Sequence, residues 1–141
     1  MFTILEGDEA GEGASGSAFN LSGAKAASFW LSVTADESTT ADKLNVWLQS
    51  SQDGGTTWQD FGRFTEQAGD VGSTGLVQIL KWVRGTNETE ATTPTDAGTG
   101  FTEGSVINGP IGPKVRAKST VTDDSTSAAF TYAVAAQFSR K

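Results

Sequence analysis

Cysteine and histidine are absent from the chain of 141 residues, and it contains only three prolines and one methionine. Without cysteine there is no disulfide, no thiol nucleophile and no thiolate site for zinc or an iron–sulfur cluster. Without histidine there is no Ser-His-Asp triad, no imidazole base and no histidine metal ligand. These absences exclude most common types of enzyme active site, so we expect a protein that is not an enzyme and uses no cofactor.

Basic residues are also few, at 10 lysines and arginines against 17 acidic residues, which gives a net charge of -7. Phosphate binding needs a basic face, so we expect no nucleic-acid partner. No apolar run approaches the roughly 20 residues of a bilayer span, so we expect no membrane association. Residues 1–10 have acids and no basic segment, and they do not look like a signal peptide.

The residues that are abundant indicate strands and turns. Apolar residues fall in short alternating bursts separated by threonine, serine and the 17 glycines, and no long segment has a helical period. The main alternating segments are residues 28–34, 43–50, 58–64, 76–83, 101–107, 114–121 and 128–138, with shorter ones at 2–5 and 19–21. We therefore expect an all-β fold, an antiparallel β-sandwich or jelly-roll-like barrel of about seven to eight strands.

The length is that of one domain, and glycine clusters divide it into parts. Residues 1–27 are expected to form a flexible, glycine-rich N-terminal arm or an edge strand, because each glycine costs backbone entropy on ordering. Residues 28–141 are expected to form a single β-sandwich domain. A long polar loop at residues 85–100 interrupts it, and loops of this length in small domains are usually functional or mobile.

Two segments carry more detailed expectations. Residues 76–83 have apolar side chains on both faces, which predicts a central strand or one covered by another layer. Residues 114–121 and 128–138 flank a short polar segment, which predicts that they form the last hairpin of the chain.

The sharpest motif is SQDGGTTW at residues 51–58. It matches the Asp-box pattern Ser-x-Asp-x-Gly-x-Thr-Trp and so resembles the hairpins of sialidase-type β-propellers. We interpret Ser51, Asp53, Gly55 and Trp58 as a structural hairpin-turn motif, because aspartate and glycine are favoured in tight turns. The box occurs once, and the chain is too short for a propeller.

Other chemistry stays open as alternatives. Loop aspartates could hold Ca²⁺ or Mg²⁺, although no DxDxDG-type spacing is present. Glu66 and Glu103 could form a glycosidase pair, although nothing in the spacing fixes their separation. Trp30, Trp47 and Trp58 lie off the main apolar face of their strands and could stack on sugars, unless a second layer or a subunit covers them.

Basic residues form one stripe on this acidic chain, because Lys114, Arg116 and Lys118 alternate and share a strand face. The default interpretation is pairing with acids on a neighbouring strand of the same chain. The alternative is a contact with another subunit, which we keep open for these three residues.

The order of the motifs resembles a known family. LNVWLQSSQDGGTTW at residues 44–58 is followed by GPIGPKVRAKSTVT at residues 109–122 and by the alternating strand FTYAV at residues 130–134. This order is similar to that of small virion structural proteins of tailed bacteriophages, which combine an LQxSxDGGxTW hairpin, a GPxxRxxxTVT strand and a closing hydrophobic strand.

The resemblance implies a non-enzymatic capsid decoration or cement protein that binds and stabilises the phage head. Its implied partner is the major capsid protein, with self-association as a homotrimer, on the capsid surface of a virion made in the host cytoplasm. Phe2, Ile4 and Leu5 of the arm, together with the basic stripe, are the candidate subunit or capsid contacts. The alternatives are a tail or neck protein and a carbohydrate-binding β-sandwich module used in host attachment.

Overall fold

The chain folds entirely into strands and loops in the part that the structure describes. The computed structural model describes residues 2–9, 15–36, 42–69, 76–85, 96–98, 101–108, 111–122 and 130–140. Its strands are β1 (Phe2–Glu9), β2 (Phe19–Asn20), β3 (Ala26–Asp36), β4 (Lys43–Ser51), β5 (Gln59–Arg63), β6 (Gln67–Ala68), β7 (Leu76–Val83), β8 (Ser105–Val106), β9 (Lys114–Thr122) and β10 (Phe130–Ser139). The described residues contain no helix that could cross a membrane. The all-β expectation is confirmed.

Two antiparallel sheets hold these strands. The four-stranded sheet has the order β1-β10-β3-β7. The six-stranded sheet has the order β2-β9-β4-β5-β8, and β6 pairs with β4 beyond the end of β5. The central strands are therefore β10 and β3 in one sheet and β9 and β4 in the other.

The alternating apolar residues of both sheets form a single hydrophobic core. Phe29 of β3 meets Phe61 of β5 edge to face, with ring centroids 5.9 Å apart. The hydroxyl groups of Ser119 on β9 and Tyr132 on β10 form a hydrogen bond of 2.5 Å across the sheets. This bond satisfies two buried polar groups where the sheets meet, and leaving either unpaired would cost free energy.

The prediction that β9 and β10 form the last hairpin is wrong. β9 pairs with β2 and β4 in the six-stranded sheet, whereas β10 pairs with β1 and β3 in the other sheet. The polar segment between them therefore connects the two sheets. The physical reason is that β10 buries Phe130, Tyr132 and Val134 on one face, and the core between the sheets takes up that face.

Neither alternative predicted for residues 76–83, a central strand or one covered by another layer, is found among the described residues. β7 stands last in the order of its sheet and pairs with β3 alone among the described strands. Its inward residues Leu80 and Trp82 are buried, whereas Val77, Ile79 and Val83 are exposed. The segment expected as a strand at residues 101–107 pairs only over Ser105–Val106.

The N-terminal residues lie along both sheets where they are described. β1 pairs with β10 at the edge of the four-stranded sheet, and β2 pairs with β9. Gly16 donates its amide to the Ala117 carbonyl at 2.9 Å. Residues 10–14 of the expected arm and residues 86–95 and 99–100 of the expected loop lie outside the described residues.

Candidate functional site

The outer face of β4 is polar in sequence and buried in the structure. Alternation turns Leu44, Val46 and Leu48 toward the core and leaves Trp47 and Gln49 on the opposite face of the sheet. Trp47 is nevertheless only 2% exposed and Gln49 is 0% exposed. A second layer must therefore cover this face.

That cover comes from residues 96–98 and 101–103, which we call the strap. The Trp47 indole donates to the Gly98 carbonyl at 3.3 Å, and Arg63 donates to the Phe101 carbonyl at 3.0 Å. Both bonds run from a side chain of the sheet to the backbone of the strap. The strap is thus held by polar bonds to groups that would otherwise be buried without partners.

Asp60 of β5 fixes the backbone of the strap. Its carboxylate accepts the amide of Ala97 at 2.9 Å and the amide of Gly98 at 2.8 Å. Ala97 has a φ of 53°, in the left-handed region that non-glycine residues rarely adopt. Such a strained backbone persists only where the surrounding contacts hold it in place. Here the Asp60 carboxylate holds it by accepting the amides of two consecutive residues.

Gln49 lies at the centre of the covered face and links three charged side chains. Its Nε2 donates to Asp60 at 2.8 Å and to Asp96 at 2.7 Å. Its Oε1 accepts from the Nε of Arg116 at 2.9 Å. A glutamine can donate twice and accept at the same centre, which neither a carboxylate nor an apolar side chain could do.

The outer rim of this network is an ion pair. Lys118 of β9 lies 2.9 Å from a carboxylate oxygen of Asp96, and the Asp96 side chain is about half exposed. The hydrogen bond from Lys118, followed by that from Gln49, lowers the pKa of Asp96 below its ordinary value. Asp96 therefore stays ionised and bonded at neutral pH.

Two arginines of the network stack on tryptophans. The guanidinium of Arg63 lies 5.2 Å from the ring centroid of Trp47, and that of Arg116 lies 4.2 Å from the ring centroid of Trp58. Both distances are within the range of a cation–π contact. Arg63 also donates to Asn45 at 2.5 Å, so its position is fixed from two sides.

We call these bonded side chains the polar layer; its members are Asn45, Gln49, Asp60, Arg63, Asp96, Arg116 and Lys118. Every charged member has a bonded partner within the chain. What such an arrangement does chemically is to hold the strap on the sheet.

The hairpin turn next to the polar layer is built on Asp53. Its carboxylate accepts the amides of Thr56 and Thr57 at 3.0 and 2.9 Å, and the hydroxyls of Ser51 and Thr57 at 2.7 Å each. The Ser51 hydroxyl in turn accepts the Gly55 amide at 2.8 Å. These hydrogen bonds hold the pKa of Asp53 well below its usual range, and the bond from the Thr57 amide has the largest effect.

Glycine is needed at three points around this turn. Gly54 and Gly55 have φ of 79° and 106°, which glycine adopts without steric cost. A Cβ at Gly112 would overlap the Ser51 carbonyl oxygen, so the segment before β9 approaches the end of β4 closely. The two sequence segments that carry the family resemblance are therefore in contact here.

The structure places the residues singled out in the sequence in three regions. Ser51, Asp53 and Gly55 build the turn, and Trp58 packs under Arg116. Arg116 and Lys118 are bonded within the chain, but Arg116 bonds to Gln49 and Lys118 to Asp96 of the strap, so neither pairs with an acid on a neighbouring strand in these contacts. Lys114 is exposed at the start of β9, and Phe2, Ile4 and Leu5 lie in β1.

Sequence reasoning missed five residues of the polar layer as a connected set: Asn45, Gln49, Asp60, Arg63 and Asp96. The only signal for Gln49 was its outward position in the alternation, which does not distinguish water from a covering segment. Glu66 and Glu103, considered as a carboxylate pair, are neighbours, because the Glu103 carboxylate accepts the backbone amide of Glu66 at 3.1 Å. Both carboxylates also have other partners: Glu66 accepts from Asn45, and Glu103 pairs with Arg63 at 3.3 Å.

Comparison with known proteins adds no name to this site. No family model, no curated protein and no solved structure matches the chain. Among the described residues, no group of three or more acidic side chains is placed to hold a metal ion.

Proposed function

We propose that this protein is a non-enzymatic structural protein of a tailed-phage virion, a capsid decoration or cement protein that binds the major capsid protein. In this proposal it is made in the host cytoplasm and lies on the capsid surface of the virion as a homotrimer. Its two sheets form a β-sandwich, with the glycine-rich N-terminal residues as an arm at one edge. The resemblance of residues 44–58 and 109–122 to such proteins motivates the proposal.

The polar layer is the observation that carries this proposal. Its charged side chains bond to one another and to the strap, as in the contacts of Gln49 with Asp60, Asp96 and Arg116. A catalytic or ligand-binding group needs unspent bonding capacity aimed at a reactant. Side chains that spend this capacity on one another instead stiffen a surface, which suits a protein whose role is to support a shell.

Two of the three candidate tryptophans, Trp47 and Trp58, weigh against the carbohydrate-binding alternative, whereas Trp30 is half-buried at an outward position of β3. Trp47 is buried beneath the strap, and Trp82 is in the core. Trp58 has its ring stacked against Arg116 at 4.2 Å. A sugar platform needs an open aromatic face, so neither Trp47 nor Trp58 suits one.

The test of this proposal is binding to isolated phage shells. Purified protein is mixed with expanded capsids that lack it, and cosedimentation measures the bound fraction. We expect saturable binding by the wild type and weaker binding by Lys114→Glu, because Lys114 is the exposed member of the basic stripe. Lys43→Glu, which makes the same charge change at the start of β4, is the matched control and should bind as the wild type does.

A second measurement separates the head from other locations. Mass spectrometry of purified virions should detect the protein, and immunogold labelling should decorate heads. Labelling confined to the tail or neck would overturn the decoration role and favour the tail or neck alternative. Absence from virions together with absence of shell binding would refute a virion role altogether.

A further inference from the structure

The outer face of the four-stranded sheet carries an exposed apolar stripe at its edge. Val77 and Ile79 of β7 are each 51% exposed, and Val83 is 49% exposed. The only charged residue among the outward positions of β7 is Lys81. Exposed β-branched residues on an edge strand are typical of a strand that pairs with another chain.

The backbone of β7 is oriented for such pairing. The Val83 amide donates to the side chain of Asn108 at 2.9 Å, and the Val83 carbonyl accepts the amide of Gly85 at 2.8 Å, so neither group bonds to β3. Amide and carbonyl of one residue point the same way, and the direction alternates along a strand. The backbone groups of Val77, Ile79 and Lys81 therefore point away from β3, toward the open edge of the described sheet.

The opposite edge of the same sheet has the complementary charge. β1 pairs with β10 alone among the described strands. It contains Glu6, Asp8 and Glu9 and no basic residue, whereas β7 contains Lys81 and is followed by the exposed Arg84. An acidic edge and a basic edge on one sheet complement each other between two copies of the chain.

Strand direction permits this contact without turning a copy over. All three pairings in the order β1-β10-β3-β7 are antiparallel, so β1 and β7 run in opposite directions. A second copy in the same orientation, set beside the first, places its β1 antiparallel to β7. The antiparallel sheet then continues across the two molecules.

We propose that copies of this chain associate head to tail, with β1 of one copy pairing antiparallel beside β7 of the next. Edge lysines oppose the pairing of a strand with its own copy, so Lys81 favours an acidic partner strand. In the pairing of β1 with β10, Glu6 lies opposite Ala133 and Asp8 lies opposite Thr131. These positions are on the same face of the sheet as the outward positions of β7. Cross-strand pairs of opposite charge stabilise such a junction.

The contact is heterologous, which fits closed rings such as the homotrimer of the proposed function. This contact deepens the proposed function, and it rests on that function only for the assumption that copies of the chain associate. One strand junction is smaller than a standard interface of about 800 Å² per partner, so we expect association that depends on concentration. The experiment is done in solution without shells, and its failure is therefore distinct from failure of shell binding.

Sedimentation velocity over a wide range of protein concentration is the test, with charge-reversal variants of each edge. We expect the wild type to form oligomers, and Lys81→Glu to weaken association about tenfold or more, because an acid then faces the acidic β1. The pair Glu6→Lys with Asp8→Lys should weaken it likewise. A variant that carries all three substitutions has an acidic residue on β7 and lysines on β1, so the two edges are again of opposite charge and association should be restored.

A backbone variant tests the strand pairing itself. Ile79→Pro removes an amide that points to the open edge and leaves the bonds to β3 in place, so the fold is expected to persist while association is lost. Ile79→Thr is the control for the lost apolar side chain. Circular dichroism establishes that each variant is folded.

The outcomes separate the arrangements. Loss of association in Ile79→Pro with no effect of the β1 changes would overturn the head-to-tail contact and indicate a two-fold pairing of β7 with β7. A wild type that stays monomeric at all concentrations would overturn the inference entirely.

Discussion

The outer faces of the two sheets differ in a way that inverts the usual relation between polarity and exposure. On the six-stranded sheet the outer face carries Gln49, Asp60 and Arg63, all buried under the strap. On the four-stranded sheet it carries Val77 and Ile79, both half exposed. One polar face is covered, and one apolar stripe at a sheet edge is open.

Alternation therefore reports which face of a sheet a side chain lies on, and not what covers that face. A covered polar face is stable only if its donors and acceptors are paired, and each pair depends on its neighbours. An open apolar face costs little in the isolated chain, but it leaves free energy to be gained when another surface covers it. Substitutions of the same type on both faces can test this contrast.

The largest effect is expected from adding a charge to the covered face. Gln49→Glu places a third carboxylate beside Asp60 and Asp96, where Gln49 now donates to both. Burial and like charge destabilise the ionised form by about 3 kcal/mol or more at pH 7. Urea unfolding followed by tryptophan fluorescence measures this free energy. Gln137→Glu is the matched control on the exposed face of β10, with an expected change within about 0.5 kcal/mol.

The pH dependence of that difference gives a second check. The new carboxyl would have a folded-state pKa above its unfolded value of about 4.3, so its penalty is full at high pH and falls as the pH drops and it becomes protonated. The deficit of Gln49→Glu should therefore shrink between pH 7 and pH 4. A deficit below about 1 kcal/mol at pH 7 would mean that the strap does not seal this face.

The second prediction compares neighbours on β7. Leu80→Ala removes a side chain that is 7% exposed from the core and should cost about 2 to 4 kcal/mol of unfolding free energy. Ile79→Ala removes one that is 51% exposed on the opposite face and should cost under about 1 kcal/mol at concentrations where the chain is monomeric. Thermal and urea unfolding measure both, and equal costs would show that the outer face is already covered.

Particular residues show how far the sequence could predict this fold and where prediction ended. Alternation was sufficient to find β4, β7 and β10 and to assign Leu48 and Val134 to the core. It could not find the cover over Gln49, because Asp96 lies 47 positions further along the chain and nothing local links the two. Long-range contacts of this kind depend on the whole fold.

The strand partners of β9 and β10 were beyond prediction for a related reason. A polar turn segment follows β9 whether the next strand returns beside it or crosses to the other sheet. The choice depends on which sheet has room for the apolar face of β10, and that is a property of β1 and β3. The turn at Asp53 was within reach because all its bonds join residues at most four positions apart.

A third prediction concerns the turn at Asp53, whose hydrogen bonds join residues of the turn itself and none of the strap. Asp53→Asn removes a charged acceptor of the Thr56 and Thr57 amides and should lower the melting temperature at pH 7, by less than Gln49→Glu does. The pKa of Asp53 is lowered from 3.8, so its contribution is present above that value and is lost as the pH falls through the folded-state pKa. The gap between wild type and variant should therefore close below pH 4. A gap that is constant from pH 7 to pH 2 would contradict the assignment.

The smallest effect is expected at the rim of the covered face, in the ion pair of Asp96 with Lys118. Asp96 is about half exposed, so solvent screens the pair, and a double-mutant cycle with Asp96→Asn and Lys118→Met should give a coupling near 0.5 kcal/mol. The lowered pKa of Asp96 means that the coupling is present above the ordinary value of 3.8 and is lost as the pH falls through the folded-state value. Added salt should reduce it further, since exposed pairs are screened. A coupling as large as the Gln49→Glu effect, and insensitive to salt, would mean that the rim is as dry as the centre, so this cycle measures how far the cover of the polar layer extends.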